Sequence, residues 1–94
     1  MKWTKIDGTS VGDIKLFALS TCGWCKKTKA LLDELGVEYS FVFVDLLEGD
    51  EREEAVKELT EWNPRRSFPT LVFNGEKAII GFDEAGIRKL VQDA

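Results

Sequence analysis

Ser20-Thr21-Cys22-Gly23-Trp24-Cys25-Lys26-Lys27 holds the only two cysteines of the chain, separated by two residues. The stretch lies where an apolar run, Ile14-Lys15-Leu16-Phe17-Ala18-Leu19, gives way to a helical pattern. A strand that runs at once into Cys-x-x-Cys and a helix puts a dithiol on a helix N-terminus. Unpaired backbone N–H groups and the positive end of the helix dipole favour a thiolate there. Cys22 takes the end of the helix and Cys25 lies one turn in. That order makes Cys22 the expected exposed, attacking thiol and Cys25 the more buried, resolving thiol. Lys26, Lys27 and Lys29 put positive charge on the same helix, either as help for the thiolate or as a solvated face.

Working outward, Ile14, Leu16 and Ala18 point to one side of their strand and Phe17 and Leu19 to the other. Apolarity on both sides marks an inner strand of a sheet covered by helices. The helix is expected over residues 23 to 35, with Trp24, Thr28, Leu31, Leu32 and Leu35 as one stripe of a 3.6-residue period and Gly36 as its stop. Residues 38 to 45 are rich in aromatic and β-branched types and read as a second strand, parallel to the first. Asp50 and Glu53 resemble a capping box that opens a second helix ending near Trp62, with Ala55, Val56, Leu59 and Trp62 facing inward. Pro64 closes it. Thr70 to Phe73, Asn74-Gly75 and Ala78 to Gly81 read as a β-hairpin, because Asn-Gly suits a turn with two positive φ angles. Asp83 caps a last helix with Ile87, Leu90 and Val91 facing inward. The order β-α-β-α-β-β-α is that of a small α/β sheet with helices on both faces. A chain of 94 residues fits one domain, residues 1–94, with 1–13 as an N-terminal arm, a short strand or a loop at one end of the core.

The remaining composition narrows the function. The net charge is −4, and no Lys/Arg stripe alternates with aromatics, which argues against nucleic acid. No apolar run approaches the ~18 residues of a membrane span, and the first residues lack the apolar core of a secretory signal. A cytoplasmic protein is expected. There is no histidine, so imidazole bases, Cys-His pairs and most zinc sites are removed together. A zinc site would need two further Cys or His ligands. A structural disulfide this short closes a small loop and stabilises least. An iron–sulfur cluster would have to be shared with outside thiols. Redox chemistry is the reading that the strand, Cys-x-x-Cys and helix favour.

Three motifs occur in order: Cys22-Gly23-Trp24-Cys25 after a strand, Ser67-Phe68-Pro69-Thr70 before a hairpin, and Gly81-Phe82-Asp83-Glu84 before the last helix. Over residues 14 to 92 the chain resembles a glutaredoxin of the thioredoxin superfamily. The resemblance implies a thioredoxin fold with a four-stranded mixed sheet and three helices, a cis-Pro69 beside the dithiol, and thiol–disulfide exchange as the activity. It places Thr21, Gly23, Trp24, Phe68, Pro69, Gly81, Phe82 and Asp83 around the substrate. Arg65 and Arg66 either bind an anionic thiol near Pro69 or form a solubilising loop. It implies a monomer whose redox centre is the Cys22–Cys25 pair itself, with no resident cofactor or metal. The partners are then a disulfide-containing protein or low-molecular-weight thiol, and an electron donor. Thioredoxins resemble one another in Trp-Cys-Gly-Pro-Cys with an acidic residue six positions earlier, where this chain has Leu16. Typical glutaredoxins read Cys-Pro-Tyr-Cys, carry a Lys a few residues before, and have Gly-Gly where this chain has Gly81-Phe82. That Gly-Phe is similar to the glutaredoxin-like redoxins reduced by a thioredoxin reductase. The donor is therefore open between a glutathione-like thiol, a thioredoxin reductase-like enzyme and a ferredoxin-linked system. A cluster-carrying glutaredoxin-like protein is the alternative function.

Overall fold

The computed structural model describes residues 3–93. Its elements run β1 (Thr4–Ile6), β2 (Ile14–Ala18), α1 (Gly23–Leu35), β3 (Tyr39–Phe43), a 3-10 turn (Val44–Leu46), α2 (Gly49–Trp62), β4 (Thr70–Phe73), β5 (Lys77–Ile80) and α3 (Glu84–Gln92). The sheet order is β1-β3-β2-β4-β5. Strand β2 pairs parallel with β3 and antiparallel with β4, so it is an inner strand as its two-sided apolarity requires. Ile14, Leu16 and Ala18 enter one core with Leu31 and Leu32 of α1 and Ile87 of α3. Phe17 enters the other with Ala55 and Leu59 of α2, and Leu19 packs against it. Helices thus cover both faces, α1 and α3 on one side and α2 on the other.

The sheet has five strands where four were expected. The fifth is β1, in the N-terminal arm, antiparallel to β3 with Lys5 opposite Ser40. Three residues are too few to show an alternating pattern, and the pairing with β3 makes the strand. Beyond it the arm is stitched to the α1–β3 connection: the Thr9 N–H donates to the Gly36 carbonyl (2.9 Å) and the Glu38 N–H to the Thr9 carbonyl (2.9 Å). Gly8 permits this approach, since a Cβ there would lie 2.6 Å from the Gly36 carbonyl oxygen.

The start of α2 and the buried stripe of α1 differ from expectation. Helix α2 begins at Gly49 with Glu48 as its N-cap, and no side chain caps it. The Asp50–Glu53 capping box is therefore absent, although Asp50 and Glu51 still lie in the first turn, where the helix dipole favours acids. In α1 the buried stripe is Cys25, Thr28, Leu31 and Leu32, and Trp24 is 58% exposed. Cys25 is three residues before Thr28 and seven before Leu32, so it takes the inward position that periodicity also allowed to Trp24. Gly36 stops α1 at φ 68°, as expected. The Asn74-Gly75 hairpin forms with φ 54° and 62°, and β5 starts at Lys77, one residue earlier than read from the pattern. Inner positions of α2 and α3 are filled as expected: Ala55, Leu59 and Ile87 are buried, with Val56, Trp62, Leu90 and Val91 packed beside them.

Candidate active site

Parallel β2 and β3 both point their carboxyl ends to the edge of the sheet where α1 begins, a usual place for chemistry in α/β folds. After β2, Leu19 to Cys22 form a turn in which the Cys22 N–H donates to the Leu19 carbonyl (3.2 Å). Cys22 is the N-cap of α1, in extended conformation, and its Sγ accepts the Cys25 backbone N–H at 3.3 Å. The thiol thus occupies the position where Ser, Thr or Asp usually satisfies an orphan N–H. Both cysteines are free thiols; Cys22 is half-buried and Cys25 buried.

The two thiols differ sharply in acidity. Burial pushes Cys22 up, but the Cys25 thiol and the backbone N–H groups of Cys25 and Trp24 together outweigh it, and the net shift is downward. Cys25 is pushed up to about 12, first by burial and then by the Cys22 thiol, while the Leu19 backbone opposes the rise and the charges of Cys22 and Asp45 add to it. At neutral pH the exposed sulfur is the one disposed to ionise, and the buried one keeps its proton. Of the lysines on α1, Lys27 lies over the Trp24 ring, 4.6 Å from its centroid, and Lys29 over Phe41 at 4.9 Å. Lys29 also pairs with Asp33 at 3.5 Å, so its charge is engaged by a carboxylate as well as a ring, and that of Lys27 lies on an aromatic face.

A cleft of about 250 Å³ lies beside Trp24, lined by Trp24, Phe68, Pro69, Gly81 and Phe82. Trp24 and Phe82 stack with centroids 5.8 Å apart. The Phe68–Pro69 bond is cis, and the Gly81 N–H donates to the Pro69 carbonyl at 2.8 Å. The cleft takes residues from all three sequence motifs, so the three meet there. Thr21 and Gly23 flank Cys22 and are exposed. Asp83 accepts the Gly86 N–H at 2.9 Å and caps α3. Arg66 is the predicted site residue that falls elsewhere: it lines a larger open groove along α2 with Gly49, Arg52, Val56 and Lys57, which shares no lining residue with the cleft beside Trp24. Its φ is 54°, and its N–H closes the turn after α2 by donating to the Asn63 carbonyl at 2.9 Å.

Two polar residues at this end were not anticipated. Asn63, 2% exposed, donates through Nδ2 to the Ser67 carbonyl and hydroxyl and to Thr70 Oγ1 at 2.9–3.1 Å, and so shapes the loop that delivers Pro69. Asp45, just after β3, accepts both the Ser20 N–H (2.9 Å) and the Ser20 hydroxyl. The partners of Asp45 are 25 residues away in the chain, and no spacing rule marks them.

Residues 14–78 match the family model for glutaredoxin. The chain belongs to the glutaredoxin family. It is 52% identical to methanoredoxin of Methanosarcina acetivorans, over 89% of this chain and 88% of that one, with a TM-score of 0.87. It is 49% identical to a glutaredoxin of Methanosarcina mazei Go1, over 97% of this chain and 88% of that one, with a TM-score of 0.89. A glutaredoxin-like 8.6 kDa protein from the rubredoxin operon of Clostridium pasteurianum is 33% identical over 84% of this chain and 97% of its own length. The expected thioredoxin fold is thus the fold of the glutaredoxin relatives, with its mixed sheet and three helices. As a glutaredoxin the chain falls in a family of thiol oxidoreductases, and it carries the dithiol that such redox chemistry uses. No helix among the described residues is long and apolar enough to cross a membrane.

Proposed function

We propose that this chain is a dithiol thiol–disulfide oxidoreductase of the cytoplasm, acting as a monomer. The observation that carries the reading is the split between the two thiols: Cys22 is accessible and acidified at a helix N-cap, and Cys25 is buried and held protonated. The Cys22 thiolate attacks one sulfur of a substrate disulfide. A Cys22–substrate bond forms, the substrate S–S bond breaks, and the first substrate thiol leaves with a proton from solvent. Cys25 then gives up its proton and attacks Cys22 Sγ. The Cys22–Cys25 disulfide forms and the second substrate thiol leaves, so two electrons pass from the dithiol to the substrate. Trp24, Phe68, Pro69, Gly81 and Phe82 form the wall against which the substrate lies. Thr21, Gly23 and Asp83 border it, and Arg66 offers a cation farther along the α2 side. The pair is its own redox centre and needs no resident cofactor or metal. An external donor of two electrons, a glutathione-like thiol, a thioredoxin reductase-like enzyme or a ferredoxin-linked reductase, restores the dithiol.

The test is a disulfide-reduction assay with single-cysteine variants. Cys22→Ser is expected to be inactive. Cys25→Ser is expected to retain attack and accumulate a mixed disulfide, seen as the added mass of one substrate thiol. Full activity in Cys22→Ser would sink the mechanism. Running the assay with glutathione, a thioredoxin reductase and a ferredoxin-linked reductase in turn identifies the donor. The alternative, a cluster held between two copies, draws on the open space at Gly23, where an added Cβ would meet nothing within 4 Å. Anaerobic purification that yields a coloured, iron-containing dimer would favour it.

A further inference from the structure

The register of β2 and β3 sets Ala18 opposite Phe43, so the residues that leave the two strands travel side by side. Ser20 and Asp45 are two residues beyond that pair in each strand. Asp45 takes both hydrogen-bonding groups of Ser20, N–H to Oδ1 at 2.9 Å and hydroxyl to Oδ2. Ser20 is the second residue of the turn whose closing bond runs from the Cys22 N–H to the Leu19 carbonyl. Cys22 emerges from that turn in the extended conformation that lets its Sγ meet the Cys25 N–H. A continuous path therefore joins a carboxylate at the end of β3 to the reacting sulfur, through one side chain and one turn.

We propose that Asp45 is a positioning residue of the dithiol, acting through Ser20 to hold the turn in which Cys22 caps α1. The proposal rests on Cys22 being the attacking thiol. The cap bond to sulfur is 3.3 Å long, and a displacement of Ser20 carries Cys22 with it and lengthens that bond. Two bonds from one carboxylate fix both the position and the rotation of the Ser20 peptide, which a single bond does not. The carboxyl is held below its ordinary value by the Ser20 hydroxyl and N–H, so the clamp is ionised at neutral pH. The groups that bear on it from the packed elements are Ser20 from the β2–α1 turn and Arg52 from α2, and its own charge reaches Cys25 on α1. Asp45 touches neither sulfur among its hydrogen bonds; its effect on Cys22 is geometric.

The experiment reads the pH profile of Cys22 alkylation by iodoacetamide in the fully reduced protein, with the labelled peptide quantified by mass spectrometry. Asp45→Ala is expected to move the midpoint upward and to slow labelling at pH 7 by about 3- to 10-fold, the scale of one lost hydrogen bond. Asp45→Asn keeps an oxygen for the Ser20 N–H and an amide for the Ser20 oxygen, and is expected to restore the wild-type profile to within about twofold. An Asp45→Ala profile that superimposes on wild type overturns the proposal. So does a downward shift of equal size in Asp45→Ala and Asp45→Asn, the direction that loss of a nearby negative charge gives. If Asp45→Ala fails to fold, Ser20→Ala carries the same test, with a smaller upward shift expected because the N–H bond remains, and an unshifted profile overturning the proposal. No disulfide substrate enters the measurement, so its outcome is independent of whether the chain catalyses disulfide reduction, which the Cys22→Ser assay decides.

Discussion

Asn63 Nδ2 donates to Thr70 Oγ1 at 3.1 Å, joining the last turn of α2 to the first residue of β4 across the loop that carries Pro69. The same amide reaches the Ser67 carbonyl and hydroxyl, the Asn63 side-chain oxygen accepts the Arg65 N–H at 3.2 Å, and Thr70 Oγ1 donates to the Ser67 carbonyl at 3.0 Å. Both side chains are buried, so water cannot replace a missing partner. Asn63→Ala is expected to cost about 1–3 kcal/mol, the penalty for buried polar groups left without partners. Urea unfolding checks this, with an unchanged slope and a lower midpoint expected. A midpoint equal to wild type would show that the loop is held by its prolines alone.

The cysteines could be read from the sequence and this network could not, for a physical reason. Cys22 and Cys25 act through local spacing, because a helix N-terminus brings residues three apart onto one backbone N–H. Asn63 acts on residues four and seven positions on, across a turn and into a strand, and as a lone Asn after a helix it looks like any turn former. Asp45 meets Ser20 only because β2 and β3 are parallel and in register. Trp24 shows the limit of periodicity itself: two neighbouring residues both fit the inward stripe of α1, and packing chose the smaller Cys25 for the core. The two-sided burial of β2, the Asn74-Gly75 hairpin and the Asp83 cap were legible because each is decided within a few residues. Strand β1 was legible only as one of two options, a short strand or a loop, since Thr4, Lys5 and Ile6 are fixed as a strand only by pairing with β3.

Alkaline pH should destabilise the reduced protein. Cys25 rises from an ordinary 9.0 to about 12, so the folded state holds a proton that the unfolded chain releases above about pH 9. A raised value stabilises below the unfolded value, and that contribution is lost as pH climbs from about 9 toward 12. Tyr39, raised by burial and by its hydrogen bond to Asp33, acts in the same direction. Cys22 acts oppositely: its lowered value favours the fold above the unfolded value of 9.0 and loses that contribution as pH falls. Thermal melts under reducing conditions are expected to drop between about pH 9 and 11. Cys25→Ala should flatten that drop relative to its own melting point at pH 8. An equally steep drop would mean Cys25 is not the group responsible.

Trp24 is 58% exposed and stacks on Phe82, and Lys27 Nζ lies 4.6 Å from its ring centroid. Removing it takes away a wall of the cleft and almost nothing from the core. Trp24→Ala is expected to change stability by less than about 0.5 kcal/mol, while lowering kcat/KM for disulfide reduction by about 2- to 10-fold, the worth of one aromatic contact with substrate. The loss should fall on KM and leave kcat nearly unchanged. A large fall in kcat with KM unchanged would place Trp24 in the chemistry of Cys22 and not in the cleft.

Asp83 separates stability from substrate contact at a single position. Its carboxylate accepts the Gly86 N–H at 2.9 Å as the N-cap of α3, the helix that supplies Ile87 to the core. An N-cap carboxylate replaced by alanine costs about 0.5–2 kcal/mol, whereas asparagine caps nearly as well. Asp83→Ala is therefore expected to lower the urea midpoint, and Asp83→Asn to leave it close to wild type. Asp83 is also exposed and next in sequence to Phe82, which lines the cleft. With stability preserved in Asp83→Asn, a change in KM for a charged disulfide, and none for a neutral one, assigns Asp83 to substrate binding. Unchanged KM for both confines it to capping α3.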